Sequence, residues 1–167
     1  NTSVNTKVSG VVNKVYVTNG DKVTKGQKIA EIALDDYAQE RQTAAWVSYL
    51  ETTEGVKDAQ KARVTVDIQM WNARQTLLDA ETNYKDMVAG AWNQTTRKEF
   101  TYNEKAVVTK TFEEAKKSFS AYESKYINSG ADISLAYAKV SSALRNYQEN
   151  SSTIIAPSSG TISDLML

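Results

Sequence analysis

Ser9-Gly10-Val11-Val12-Asn13-Lys14-Val15-Tyr16-Val17, near the start of the chain, has a counterpart in Ser159-Gly160-Thr161-Ile162-Ser163-Asp164-Leu165-Met166-Leu167 at its end. Aligned without a gap, both read Ser-Gly, a β-branched pair, two polar residues, then apolar-x-apolar. Self-similarity of this kind marks a repeated structural unit. The two copies are separated by residues 35–152, a long stretch of different character. The fold must explain how one strand unit comes to be split.

The first copy lies in a β-type segment, residues 1–34. Its short apolar runs are β-branched and alternate (Val8, Gly10, Val12, then Val11, Val15, Val17), as half-buried strands do. Asn19-Gly20-Asp21 and Lys25-Gly26-Gln27 are turn signals, because Gly and Asn tolerate positive φ. Lys28-Ile29-Ala30-Glu31-Ile32 predicts a second strand, and Asp35-Asp36 offers an N-cap for a helix. Residues 153–167 begin the second copy. Pro157, the only proline, suits a strand edge entering a turn because it has no amide hydrogen.

Between these segments the periodicity changes. Ala38, Ala45, Tyr49, Val56, Ala59, Val66, Met70, Ala73, Leu77, Ala80, Tyr84 and Met87 keep steps of three and four, with Gln42, Thr52 and Arg63 as polar slots. A second stripe runs Val108, Phe112, Ala115, Phe119, Tyr122, Tyr126, Ser129, Ile133, Ala136, Val140, Ala143, Tyr147. Both are heptad seams, the signature of helices wound on each other. Gly90-Ala91-Trp92-Asn93-Gln94-Thr95-Thr96 breaks both stripes and predicts the turn of a hairpin. Two helices of about 50 residues imply a rod on the order of 75 to 80 Å. The stripe does not slip across Gly130, so Gly55 and Gly130 are expected inside helices, either as weak joints or as tolerated surface positions. Trp46 and Trp71 fall beside the first seam and are expected to pack along its flank. Trp92 lies at the tip, either folded back on the turn or offered to a partner, with Asn93, Thr96 and Arg97 beside it as candidate docking residues.

Composition excludes several functions. Twenty basic and twenty acidic residues give a net charge of zero, and no basic block is present, so a nucleic-acid partner is not expected. The 167 residues include no Cys and no His, which removes thiol chemistry, a His-based triad and Cys or His metal sites. No carboxylate stands in an apolar, glycine-bounded setting, and no phosphate-binding glycine loop occurs. No catalytic residue, cofactor or metal site is assigned. No run of about 18 apolar residues is present to span a membrane. The chain begins at Asn1 rather than Met and stops within a strand-like run, so it reads as a fragment.

Ser9-Gly10-Val11-Val12, Val15-Tyr16-Val17 and Gly20-Asp21-x-Val23-x-x-Gly26-Gln27-x-Ile29 together resemble the first half of a lipoyl (biotinyl-like) domain. Ile154-x-Ala156-Pro157-x-x-Gly160-x-Ile162 resembles the second half as it occurs in periplasmic adaptor subunits, or membrane fusion proteins, of tripartite efflux, ABC export and type I secretion systems. In that family a helical hairpin interrupts the lipoyl domain. The resemblance implies an α+β fold, with a long antiparallel two-helix coiled-coil hairpin (35–152, tip near 90–96) inserted between two halves (1–34 and 153–167) of a lipoyl-like β-sandwich or barrel. It implies a non-catalytic adaptor in the cell envelope, in the periplasm or on the outer face of the cytoplasmic membrane, anchored by parts outside this fragment. The implied partners are an inner-membrane transporter, of ABC or another type, an outer-membrane channel, and further copies of the chain in a ring, often of six.

Two departures bear on this reading. No lysine can be assigned as a modified carrier lysine, because Lys22 and Lys25 stand in the wrong turn and the junction of the halves is the hairpin. The family's tip carries Arg and Leu at set spacings; Arg97 is present, but no Leu lies between Asp79 and Ile133, which puts the channel partner in doubt. The alternatives are a lipoyl or biotinyl carrier domain, which needs that lysine, and a secreted coiled-coil structural protein, which has no need of a split β repeat.

Overall fold

The structure is a computed structural model and describes residue 4 and residues 6–165. Met166 and Leu167, the end of the second repeat copy, lie outside the described residues. The elements in order are β1 (Gly10–Val15), β2 (Lys22–Val23), β3 (Lys28–Leu34), α1 (Asp36–Val88), α2 (Tyr102–Glu149), β4 (Thr153–Ile155) and β5 (Gly160–Thr161). The fold is α+β, with two long helices and a few antiparallel strands. Two compact units are present: Asn1–Val56 together with Ala136–Leu167, and Lys57–Leu135.

In the first unit, strands from both ends of the chain pair. One sheet has the order β1-β3-β4 and the other is β2-β5; every pairing is antiparallel. Among the described residues the strands do not close into a barrel. Two Thr-x-Gly turns shape this unit. Asp21 accepts a hydrogen bond from the Thr18 amide at 2.8 Å, and the Gln27 side-chain oxygen accepts one from the Thr24 amide at 3.0 Å. Gly20 and Gly26 take φ of 94° and 85°, the left-handed region required at the third position of a type II turn. Each turn then reaches the C-terminal segment. The Gly20 amide donates to Ile162 O at 2.8 Å and the Gly26 amide to Ala156 O at 2.8 Å. The core is Val17, Val23, Ile29, Ala30 and Ala156, with Ile154, Ile162 and Leu165 packed against it. Residues from opposite ends of the sequence therefore share one apolar cluster.

The expectation that β1 is half-buried needs correction. All six of its residues are exposed, Val11 at 73%. Alternation along a strand reports a period of two but not whether anything covers the apolar face. β1 is an edge strand, and Val12 and Val15, at 39% and 41% exposed, are better covered than Val11 but still outside the core.

Asp35 starts α1. It accepts the Ala38 amide at 2.7 Å, as an N-cap does, and the Ser9 hydroxyl at 2.6 Å. These donors, the Ser9 hydroxyl first, hold its carboxyl below the ordinary carboxylate range. Every slot of the first seam, including Gln42, Thr52 and Arg63, is buried or half-buried, and so is every slot of the second. In the first unit Trp46 meets Tyr147 at 5.1 Å between ring centroids. In the second unit Arg63 lies 4.3 Å from the Tyr126 ring centroid, and Tyr84 stacks on Phe112 at 4.8 Å. In the second unit the α2 number falls as the α1 number rises, so the helices run antiparallel there. The polar slot Ser129 is buried and donates its hydroxyl to Tyr126 O at 2.6 Å, which removes the cost of burying it.

Gly55 and Gly130 both lie within helix. A Cβ at Gly55 would meet nothing within 4 Å, whereas one at Gly130 would lie 3.1 Å from Arg63 Nη1. Gly55→Ala is expected to stabilise the chain by about 1 kcal/mol through helix propensity alone. Gly130→Ala should stabilise it less, because the guanidinium has to shift. Urea titrations of the two variants followed by helical circular dichroism check the ranking.

Candidate docking tip

The second unit ends in residues 89–101, between the two helices. Gly90 closes α1: its φ is 76°, its amide donates to Met87 O at 3.2 Å, and the Ala91 amide donates to Asp86 O at 2.9 Å. This is a Schellman closure, in which glycine takes the left-handed conformation that other residues avoid. The segment is longer than the predicted turn at 90–96, because α2 is capped by Thr101. The Thr101 hydroxyl accepts the Glu104 amide at 3.3 Å, while Glu104 accepts the Thr101 amide and hydroxyl, both at 2.7 Å. This reciprocal capping box satisfies donors that a helix start leaves open. Its Thr-x-x-Glu pattern is a helix-start signal that stands in the sequence itself.

Asn93 ties the turn together. Its Oδ1 accepts the amides of Thr95 and Thr96 at 2.9 and 3.2 Å, and its Nδ2 donates to Glu104 at 3.1 Å. Its backbone pairs with Lys98, and the Arg97 amide donates to Asn93 O at 2.7 Å. Arg97 takes a φ of 53°, uncommon for a residue with a side chain. Of the four predicted docking residues, Trp92, Thr96 and Arg97 are exposed, Trp92 at 63%, and Asn93 is half-buried with its polar atoms engaged inside the turn. The sequence reading did not single out Val88 or Tyr102, which are exposed at 65% and 87%. The turn and the start of α2 also line a cleft of about 360 Å³, with Asn83, Asn93, Phe100, Glu104 and Val107 among its walls. The tip thus presents several large apolar side chains around a polar turn held by Asn93 and Glu104.

The Glu104 carboxyl sits below its ordinary value of 4.5, chiefly through the Thr101 amide, then the Thr101 hydroxyl, with Asn93 adding to it. A carboxylate whose pKa is depressed by folding contributes stability above its unfolded pKa and loses it as pH falls through the folded one. The tip should therefore hold at neutral pH and loosen in acid, below about pH 4. Glu104→Gln should lower the melting temperature at pH 7 and flatten the acid limb of the pH profile. Thermal melts from pH 7 to pH 3 measure both.

No family model matches the chain, and no curated protein matches it. Among solved structures it is similar to the membrane fusion protein Spr0693 of Streptococcus pneumoniae R6, at 14% identity over 94% of this chain and 48% of that one, with a TM-score of 0.23. It is similar to MacA of Actinobacillus actinomycetemcomitans at 20% identity over 96% of this chain and 41% of that one, with a TM-score of 0.36. The periplasmic adaptor protein EmrA matches at 16% identity over 96% of this chain and 64% of that one, with a TM-score of 0.25. These neighbours are membrane fusion proteins and periplasmic adaptors, and the chain spans less than two thirds of the length of each. At such scores the likeness adds no weight to the pattern of residues described above. None of the described helices is long and apolar enough to cross a membrane.

Proposed function

We propose that the chain is the arm-bearing part of a non-catalytic adaptor in the cell envelope, linking a cytoplasmic-membrane transporter to another envelope component. One observation carries the reading. β2 pairs with β5, Val23 opposite Gly160, so segments flanking the entire helical insert build one small β unit. A chain with this arrangement leaves its β unit as one helix and rejoins it after a second. Residues 1–34 and 153–167 read as two halves of a lipoyl-like sandwich that contributes to ring assembly, with 35–152 as spacer and docking arm. Trp92, Thr96 and Arg97 are the contact residues at the tip, and Asn93 positions them. The transporter, a second envelope component and further copies of the chain are the partners, and the site of action is extracytoplasmic.

A photo-crosslinking amino acid placed at position 92 in the native host tests this. The captured protein should be a component of a transport apparatus, and Trp92→Ala combined with Arg97→Ala should weaken its co-purification at least tenfold. Capture of cytosolic proteins alone, or loss of helical structure as the cause of the weakening, would overturn the reading.

A further inference from the structure

The outer side of α1 in the second unit carries a second apolar stripe, separate from the seam and from the tip. Val64, Ile68, Trp71 and Leu78 recur at steps of four, three and seven, with Gln75 in the intervening slot. They are exposed at 60%, 57%, 57% and 45%. At 3.6 residues per turn they lie roughly opposite Arg63, Val66, Met70, Ala73 and Leu77, the half-buried or buried seam. The expectation that Trp71 packs along the seam is thereby corrected: Trp71 faces outward with Arg74 5.4 Å from its ring centroid. Single exposed apolar residues are ordinary, but a contiguous row on one helix face marks a surface that something covers.

The charges beside the row indicate what covers it. Asp67 and Arg74 flank it on one side, about equally far from a point near residue 70. If a second α1 is laid antiparallel on this face with a two-fold axis at that point, Ile68 meets Trp71 of the second copy. Asp67 then meets Arg74 of the second copy, and by symmetry the pair forms twice. A parallel pairing would set Arg74 beside Asp79 but also Glu81 beside Asp86 of the other copy, so its charges cancel where the antiparallel pairing gains two attractive pairs. The α2 face of another copy is a poorer match. The Arg63–Tyr126 and Tyr84–Phe112 contacts place residues 112–126 level with the stripe. Between Val107 and Ile127, α2 exposes no large apolar side chain among the described residues.

We infer that the outer face of α1, Val64-Ile68-Trp71-Leu78 with Asp67 and Arg74, is a self-association surface that pairs antiparallel with the same face of a second copy. The contact is small, so the dimer is transient. It is two-fold and thus distinct from any ring, and it stands whether or not the tip docks on a transport component.

Sedimentation equilibrium up to about 1 mM protein tests it. The unaltered chain should show a reversible monomer–dimer equilibrium. Ile68→Glu should weaken the dimer at least tenfold with no change in helical circular dichroism, since the position is exposed. Asp67→Arg alone and Arg74→Asp alone should each weaken it several-fold, and the two together should restore it. Because the chain has no cysteine, Asp67→Cys on one copy and Arg74→Cys on a differently tagged copy should form a mixed disulfide. A monomer throughout, no rescue by the double charge swap, or crosslinks joining position 67 to position 67 would overturn the proposal.

Discussion

Gly10→Ala should unfold the strand unit more readily than any other single methyl added at a glycine of this chain, lowering stability by about 3 kcal/mol. A Cβ at Gly10 would collide with Ala33 O and lie 2.9 Å from Ile32 Cγ2, and its φ of 157° is one that side chains rarely adopt. The obstruction is backbone, so it cannot be relieved by turning a side chain. Gly10 pairs with Leu34 at the end of the β1–β3 ladder, and its neighbour Ser9 donates to Asp35, the cap of α1. Forcing β1 away therefore loosens the start of the helix as well. Gly160 holds the equivalent place in the second repeat copy, yet a Cβ there meets nothing within 4 Å. Gly160→Ala should change stability by less than about 0.5 kcal/mol. Urea unfolding of the two variants side by side measures the difference; equal midpoints would show that the close approach at Gly10 is not what its place in the fold requires.

Ile29→Ala is the second large effect. Ile29 is 3% exposed and sits among Val17, Val23, Ala30 and Ala156. Truncating a fully buried Ile in a core this small costs about 3 kcal/mol, from lost transfer energy and the cavity left behind. The consequence extends to the far end of the chain, because Ile154, Ile162 and Leu165 pack on the same cluster. Limited proteolysis should then cut Ile29→Ala between residues 150 and 165 while residues 57–135 stay protected. Val15→Ala removes a side chain already 41% exposed and should cost less than about 1 kcal/mol. A cleavage pattern unchanged from that of the unaltered chain would mean that the C-terminal strands are not held by this core.

Much of the tip was visible in advance as a break in periodicity, but its working parts were not. Trp92 stood out because a hairpin end has little interior to bury an indole. Tyr102 and Val88 did not, since an apolar residue at the end of a helix looks the same whether it faces inward or outward. Asn93 looks in the sequence like a surface contact, whereas its side chain serves the turn itself, a role that depends on where Glu104 lies after the chain has reversed. Trp71 neighbours seam residues in sequence, but its exposure follows from the angle it takes around the helix, which leaves it outside the seam.

The heptad steps by themselves determined both helices and both of their buried faces, because a period of 3.5 to 3.6 residues reports directly on which side of a helix avoids water. The β-branched runs and their glycine turns likewise marked both ends of the chain as β-type. What only the tertiary structure decided is which of those equivalent positions carry weight. Gly10 is pressed against β3 while Gly160 is free, Val17 is buried while Val11 is open, and α1 keeps an apolar face that the helix pair leaves uncovered. A local pattern encodes spacing along the chain, whereas burial and close approach depend on what other segments bring against each position once the chain has folded.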